Sequence, residues 1–461
     1  MLQKFIGDKQ FYRQLLALSI PLMIQNGITA FVNMLDNIMV GAVGTEQMTG
    51  VAVANQLIFV FNLCIFGVMS GAGLFGAQFS GKSDHEGLRH TFRFKILAGI
   101  LFTGLGIALF LFAGKPLCAL YMTEGESGLD AAATLEYAYE YLLVILIGLL
   151  PYTLTQCYAG TLRETGRSVP SMVAGIVAVL VNLCLNYVLI FGKFGAPAMG
   201  IVGAAIATNI SRVVELAVVA IWTHVHKNDV PFIKGAYRSL HLPKALVKQI
   251  IVRGLPLMLN ETIWAAGMAT LCQCYSLRGL DVMAANNISQ TFLNVFSVSF
   301  KSVGVAIGIM LGQILGAGQH EKARRDCPKM LVFSVIVSIV TAGLFAALAG
   351  WIPSFYNTTE EVRSIATMLM LITAVTMPLD AFANATYFTL RAGGKTFVTF
   401  LFDSGFVWVI ATPVAMILAN LTSLPILPLY TIVQCLNLIK CLAGGYLVKQ
   451  GSWVQNIVDQ Q

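Results

Sequence analysis

The chain has 461 residues, of which 57% are apolar and 11% charged, with a mean hydropathy of +0.76 and a formal net charge of +7. A composition this apolar excludes an ordinary water-soluble domain and a disordered chain, and points to a protein whose surface faces lipid. The nine cysteines show no metal-like spacing and imply no disulfide framework, and the excess of basic residues is a topology signal rather than a nucleic-acid surface.

In chain order, twelve apolar runs lie near Arg13–Val40, Val51–Ser80, Thr91–Ala113, Leu135–Thr161, Val169–Phe191, Gly200–His224, Val247–Leu277, Met283–Leu315, Pro328–Gly350, Arg363–Leu390, Thr396–Ala419 and Pro425–Val448. Each is long enough, at about 1.5 Å per residue, to carry a helix across roughly 30 Å of hydrocarbon. The short alternating segments of a β-barrel are absent. Met1–Phe11 is too polar, and the run after it too long, for a cleavable signal. Within the second run, Gly76 to Ser83 fits the phosphate-loop pattern G-x-x-x-x-G-K-S, but a predicted transmembrane helix precedes it where a strand is needed, so a helix end followed by a basic loop is expected.

Laid over itself with a shift of 235, the sequence sets Pro21, Leu22 and Met23 on Pro256, Leu257 and Met258, and Gln78, Gly81, His85, Glu86 and Arg89 on Gln313, Gly316, His320, Glu321 and Arg324. A shift of 228 continues the match, with Leu162, Arg163 and Gly166 on Leu390, Arg391 and Gly394. Duplication among membrane helices points to transport, and an even number of helices per copy makes the repeats parallel. The predicted fold class is an all-α polytopic membrane protein with twelve transmembrane helices in two pseudo-symmetric six-helix lobes. Residues 1–225 form the amino-terminal lobe, 226–243 a polar cytoplasmic linker and 244–461 the carboxy-terminal lobe.

With the amino terminus inside, the cytoplasmic segments carry 21 lysines and arginines and the external ones four, which predicts both termini in the cytoplasm. All six histidines fall in or beside cytoplasmic segments, which removes an intramembrane histidine relay.

Function should rest on polar groups at membrane depth, which are costly there unless paired or lining a cavity. Asp36 lies near the outer end of the first run, Asn182 and Asn186 are one turn apart on the fifth, and Thr208 is on the sixth. A carboxylate, two amide carbonyls and a hydroxyl at similar depth are oxygen ligands suited to a hard cation such as Na+, and the carboxylate alone could hold a proton. A helix-packing network of asparagines is the structural alternative.

Pro21 followed by Asp36-x-x-Met39-x-Gly41, then Leu162-Arg163-x-x-Gly166, Asn182-x-x-x-Asn186-Tyr187 and Gly200-x-x-Gly203-Ala-Ala-x-Ala-Thr208, resembles the multidrug and toxic compound extrusion (MATE) family of antiporters over nearly the whole chain. The resemblance implies two lobes around a central cavity, and export of amphipathic, often cationic drugs or toxins in exchange for Na+ or H+ by alternating access. It further implies Asp36, Asn182, Asn186 and Thr208 as the cation or proton coupling site and Pro21 as a bend in the first helix. A cell (inner) membrane location, a monomer, small-molecule substrates, no nucleic-acid partner, and no cofactor beyond the coupling ion complete the expectation. A lipid or lipid-linked saccharide flippase of the same superfamily is the alternative, although it would call for more helices and a cavity rich in Arg and Lys. No catalytic set of an intramembrane hydrolase is present.

In the carboxyl half, Glu261 and Asp380 resemble the acidic pair of the sodium-coupled NorM branch, a possible second cation or substrate site, although Glu261 follows Pro256 about one turn sooner than in that branch. Two readings of Glu261 stand open: contact with cation or substrate, and an ion pair with Lys301 at similar depth on the next run. Arg212 and Glu215 read as a structural pair, and Asp403 as a solvated helix-end residue. Candidate cavity-lining residues are Gln25, Asn33, Gln56, Gln156, Asn260, Gln290 and Asn294, beside soft apolar neighbours such as Met23, Phe59 and Phe292.

Overall fold

The computed structural model describes residues 5–121, 130–356 and 358–459, without the side chains of residues 33, 34, 37, 38 and 280, so Asn33 lies outside the described side chains. Among the described residues twelve long helices and no strand are found: α1 (Lys9–Gly41), α2 (Thr45–Lys82), α3 (His85–Ala119), α4 (Ala131–Glu164), α5 (Val169–Phe191), α6 (Gly200–Val225), α7 (Lys244–Ser276), α8 (Leu280–Gly316), α9 (His320–Leu348), α10 (Glu360–Ala392), α11 (Thr396–Leu421) and α12 (Ile426–Gln450). Eleven are long and apolar enough to cross a membrane. The exception, α7, is equally long at 33 residues, but Asn260, Glu261 and its lysine-rich start lower its hydropathy.

The duplicated motifs mark helix ends. After α4, Gly166 takes φ +83° and its N–H reaches Arg163 O at 2.9 Å, while Arg167 N donates to Leu162 O at 2.9 Å. The repeat partner Gly394, at φ +72°, closes α10 the same way onto Arg391, at 2.8 Å. This left-handed turn satisfies the last carbonyls of each helix and favours glycine. Ser83 (φ +60°) ends α2 where its repeat partner Gly318 (φ +72°) ends α8. The phosphate-loop-like stretch is therefore the last turns of α2, helical through Lys82, with its amides spent on the helix instead of surrounding a phosphate.

Two compact units form, one from Met1–Met23, Ala77–Ser83 and Gln249–Gln461, the other from Ile24–Gly76 and Asp84–Lys248. The division cuts α1 just beyond Pro21, whose missing N–H breaks the helical ladder there, and α2 in its last turns.

In the first unit, Phe11, Leu15 and Leu18 of α1 join a core with Ile307, Met310 and Leu311 of α8 and Met330 of α9. α2 and α8 cross at a symmetric pair of glycines: a Cβ on Gly81 would overlap the Gln313 carbonyl, and one on Gly316 the Gln78 carbonyl. Fully buried Gln78 donates to Ala392 O at 3.0 Å and accepts from Ile457 N at 2.8 Å. Together with buried Trp453 and the Asn456 bond to Gly316 O (3.3 Å), it seats the residues that follow α12.

In the second unit, the polar segment between α6 and α7 folds back onto its own helices. Phe232 and Ile233 are buried, Phe92 meets Phe232 edge-on at 5.2 Å, and Arg93 donates to Ala236 O at 2.7 Å and Gly235 O at 2.8 Å. Lys95, counted in the sequence among the inner basic residues, is fully buried, with Nζ 2.6 Å from both carboxylate oxygens of Glu164 and 3.1 Å from Thr161 Oγ1.

Candidate functional site: an acidic cavity in the amino half

The second unit holds a half-open cavity of about 520 Å³ lined from α1, α2, α4, α5 and α6. α5 and α6 come close because α6 is built of small residues: a Cβ on Gly203 would stand 2.7 Å from Leu189 O, and Ala204, Ala205 and Ala207 follow it. That approach brings Thr208 to Asn182. Their one-turn spacing puts Asn182 and Asn186 on one buried face of α5, opposite Asp36 of α1.

Asn186 Nδ2 donates to Asp36 Oδ1 at 2.7 Å. The Asn182 amide bridges the group, with one terminal atom 3.4 Å from Thr208 Oγ1 and the other 3.1 Å from each carboxylate oxygen of Asp36. With its nitrogen towards Asp36 it donates to the carboxylate. With its oxygen there it accepts from Asn186 Nδ2 at 3.2 Å but faces the two carboxylate oxygens, so the orientation with nitrogen towards Asp36 is the one that satisfies the amide. Asn186 Oδ1 is buried and has no hydrogen-bond donor among the described residues. An orphaned carbonyl oxygen beside a carboxylate, an amide and a hydroxyl is a donor set that fits a hard monovalent cation.

All four residues expected to form the coupling cluster are thus in one cavity. Of the expected lining residues, Gln25 abuts Gly175 of its wall, a Cβ there standing 3.0 Å from Gln25 Nε2. Gln56, Gln156, Asn260, Gln290 and Asn294 do not line this cavity. Sequence reasoning missed Asn55, Asn62, Tyr141 and Tyr152, which do. The seven-residue spacing of Asn55 and Asn62 on α2 was a readable signal; tyrosines within an apolar helix carry none.

The first unit holds a separate polar constellation. Glu261 accepts from Tyr387 OH at 3.1 Å, and Asp380 accepts from Asn437 Nδ2 at 2.7 Å. Glu261 and Lys301 form no ion pair among the described residues; the carboxylate whose charge Lys301 feels is Asp380 of α10. Asp403 is no solvated end residue. Its carboxylate binds Lys440 Nζ at 2.7 Å and Asn260 Nδ2 at 3.0 Å, and Lys440 also lies over the rings of Phe402 and Phe406. The cause is local: α11 widens into π-helical turns over Leu401–Gly405 and Val407–Ala411. The wider turn frees Ser404 N–H, which Asn260 Oδ1 takes at 3.3 Å, drawing α7 onto Asp403.

The MatE family model matches residues 21–188 and again 256–419, once in each half of the chain. The multidrug resistance protein MdtK of Edwardsiella ictaluri is 27% identical over 413 residues, covering 88% of this chain and 87% of that protein. Among solved structures, an outward-facing multidrug resistance MATE family transporter of the MOP superfamily superposes with a TM-score of 0.87 at 19% identity, covering 98% of both chains. A MOP superfamily transporter from Pyrococcus furiosus, described as having reversed polarity in its binding pocket, superposes with a TM-score of 0.85 at 20% identity, again over 98% of both chains.

Proposed function

Because the chain belongs to the MATE family of membrane transporters, we propose that it is a secondary active antiporter that exports amphipathic, often cationic drugs or toxins in exchange for Na+ or H+. The observation that carries this reading is the cluster of Asp36, Asn182, Asn186 and Thr208 around an unpaired buried carbonyl oxygen, inside a cavity large enough for a small organic molecule. The name of the Edwardsiella relative supports drugs as the substrate class.

In the proposed cycle, Asp36 without its ion is held by the amide nitrogens of Asn186 and Asn182. Arrival of Na+ or H+ turns the Asn182 oxygen towards Asp36. A proton on Asp36 then donates to that oxygen, or Na+ sits between carboxylate, Asn182, Thr208 and the free Asn186 Oδ1. Loss of the ion restores a charged carboxylate that attracts an organic cation, so ion and substrate alternate as access alternates across the membrane. Both termini in the cytoplasm, a cell inner membrane location and a monomeric transporter belong to the same proposal. Glu261 and Asp380 serve as a second, separate ion or substrate contact.

The flippase alternative is not favoured. Arg212 is the one basic group among the described lining residues, and Glu215 already engages it. The test is efflux of a fluorescent organic cation from proteoliposomes under an imposed Na+ or H+ gradient. Gradient-driven efflux is expected with one of the two ions; efflux indifferent to both would remove the antiport reading.

A further inference from the structure

We propose that the segment after α12, Gly451–Asp459, is a strap that holds the inner ends of α2 and α8 crossed, and that its grip on α2 has to let go for the inner side of the transporter to open. The inference rests on the alternating access and the orientation proposed above and adds to them a part that controls the change of state.

Three helix ends meet beneath this segment. Gln455 Nε2 donates to Gly393 O at 2.6 Å, just past α10, and Asn456 Nδ2 donates to Gly316 O at 3.3 Å, at the end of α8. From α2, fully buried Gln78 accepts from Ile457 N at 2.8 Å, and Lys82 Nζ binds Asp459 Oδ1 at 2.6 Å. Asn456 Oδ1 accepts from Val458 N at 3.0 Å and from Asp459 N at 3.2 Å, a local turn that brings Asp459 round to Lys82. The seat is shaped for the strap: a Cβ on Gly393 would overlap the Trp453 carbonyl, and one on Gly394 would stand 2.9 Å from Ile457 Cγ2. The duplication does not repeat this arrangement. In the other half the residues after α6 turn to α3, where Arg93 takes the carbonyls of Gly235 and Ala236.

The helix that is held makes this segment more than an anchor. α2 belongs to the second unit up to Gly76 and to the first from Ala77, and the strap grips it beyond that point, at Gln78 and Lys82. A helix shared in this way carries any rocking of one repeat against the other to its last turns. There α2 meets α8 backbone to backbone at Gly81 and Gly316, with no side chain between them to slide on, so the crossing is either made or lost. The two ends of the strap's hold differ in kind. Trp453 joins the apolar core of α8, α9 and α10 and keeps the strap on those helices, whereas the grip on α2 is polar. Lys82 and Asp459 are already 44% and 54% exposed, and parting α2 from α8 would admit water to Gln78, which then exchanges its bonds instead of being orphaned. Such a grip biases the crossed state and still releases.

Spin labels attached to keto amino acids at Ser83 and Gln319, just beyond α2 and α8, report the distance between the two helix ends by double electron–electron resonance and leave the native cysteines in place. Wild-type protein in liposomes should show one dominant distance. Gln78→Leu, which cuts the grip at α2, should raise a second, longer population about tenfold, and Asp459→Lys, an exposed change that turns attraction to Lys82 into repulsion, should raise it by a smaller factor. Gln78→Leu that folds and keeps the wild-type distances overturns the inference, whatever its melting temperature; should it fail to fold, Asp459→Lys decides on the same reading. The converse experiment fastens the strap. In Lys82→Cys/Asp459→Cys bridged by a bis-methanethiosulfonate reagent, export of a fluorescent organic cation from proteoliposomes should stop, and should return when a reductant opens the bridge, with wild-type protein given the same reagent as the control. Export by the bridged protein at its reduced rate overturns the inference. If the wild type exports no organic cation under any ion gradient, it is the export function that has failed, and the distances still decide on the strap.

Discussion

Neutralising Glu164 should destabilise the amino half far more than its place near a helix end suggests. Lys95 is fully buried, and its ammonium sits 2.6 Å from both oxygens of Glu164. With an effective dielectric of about 20, charges at that separation attract by roughly 6 kcal/mol, most of it offset by the desolvation of both groups. In Glu164→Gln the amide oxygen still accepts a bond from Lys95 but no longer balances its charge, and the stranded ammonium should cost about 3–5 kcal/mol. Glu164 also fills the notch left by Gly73 and Gly76 of α2, where an added Cβ would meet its carboxylate. Thermal denaturation of purified protein in detergent is the assay. At roughly 2–4 °C per kcal/mol the midpoint should fall by about 10 °C, and Lys95→Met/Glu164→Leu, with both charges gone, should recover most of it. A single neutralisation that shifts the midpoint by no more than about 2 °C, or a double variant no better than the single, would refute the reasoning.

Lys440→Met should likewise strand Asp403 and lower the midpoint, whereas Lys301→Met, which breaks no ion pair, should leave it within about 2 °C; equal losses would restore a structural role to Lys301. Gln78→Leu removes the acceptor of Ile457 N–H and the donor to Ala392 O, so the residues after α12 should become cleavable by protease and stability should fall by about 1–3 kcal/mol; an uncleaved variant would show that Trp453 and Asn456 suffice to hold them. Cysteines placed at Ser83 and Ser239 should resist an impermeant reagent applied outside intact cells, and one at Thr45 should react; the opposite pattern would invert the proposed orientation.

The fold was legible because two signals reinforce each other. Apolar runs of spanning length give the helices, and residues that recur after 235 positions, Gly81 with Gly316 and Gln78 with Gln313, are those at the crossing of α2 and α8. The meeting of Asp36, Asn182 and Asn186 was legible for a related reason: a carboxylate and two amides in apolar helices are expensive unless they meet, and their depths agree. Depth, however, does not give the direction a side chain faces around its helix. Glu261 and Lys301 share a depth yet make no ion pair, and Glu261 instead meets Tyr387. Asp403 looked solvated because it is near a helix start, and nothing in the sequence announced the π-helical turns that let Asn260 reach α11. Lys95 and Glu164 were hidden by their charge, since position-counting assigns a lysine near a helix end to the aqueous side.

The central claim, that Asp36 exchanges a cation or proton to drive export, is tested most directly by comparing wild type and Asp36→Asn in proteoliposomes loaded with a fluorescent organic cation, with and without an imposed gradient of the coupling ion. The substitution keeps the shape of the side chain and removes its charge, so the protein should fold and insert normally. The account predicts that the gradient accelerates efflux by the wild type and leaves the variant at the leak rate of protein-free vesicles. Gradient-driven efflux by Asp36→Asn at the wild-type rate would contradict it.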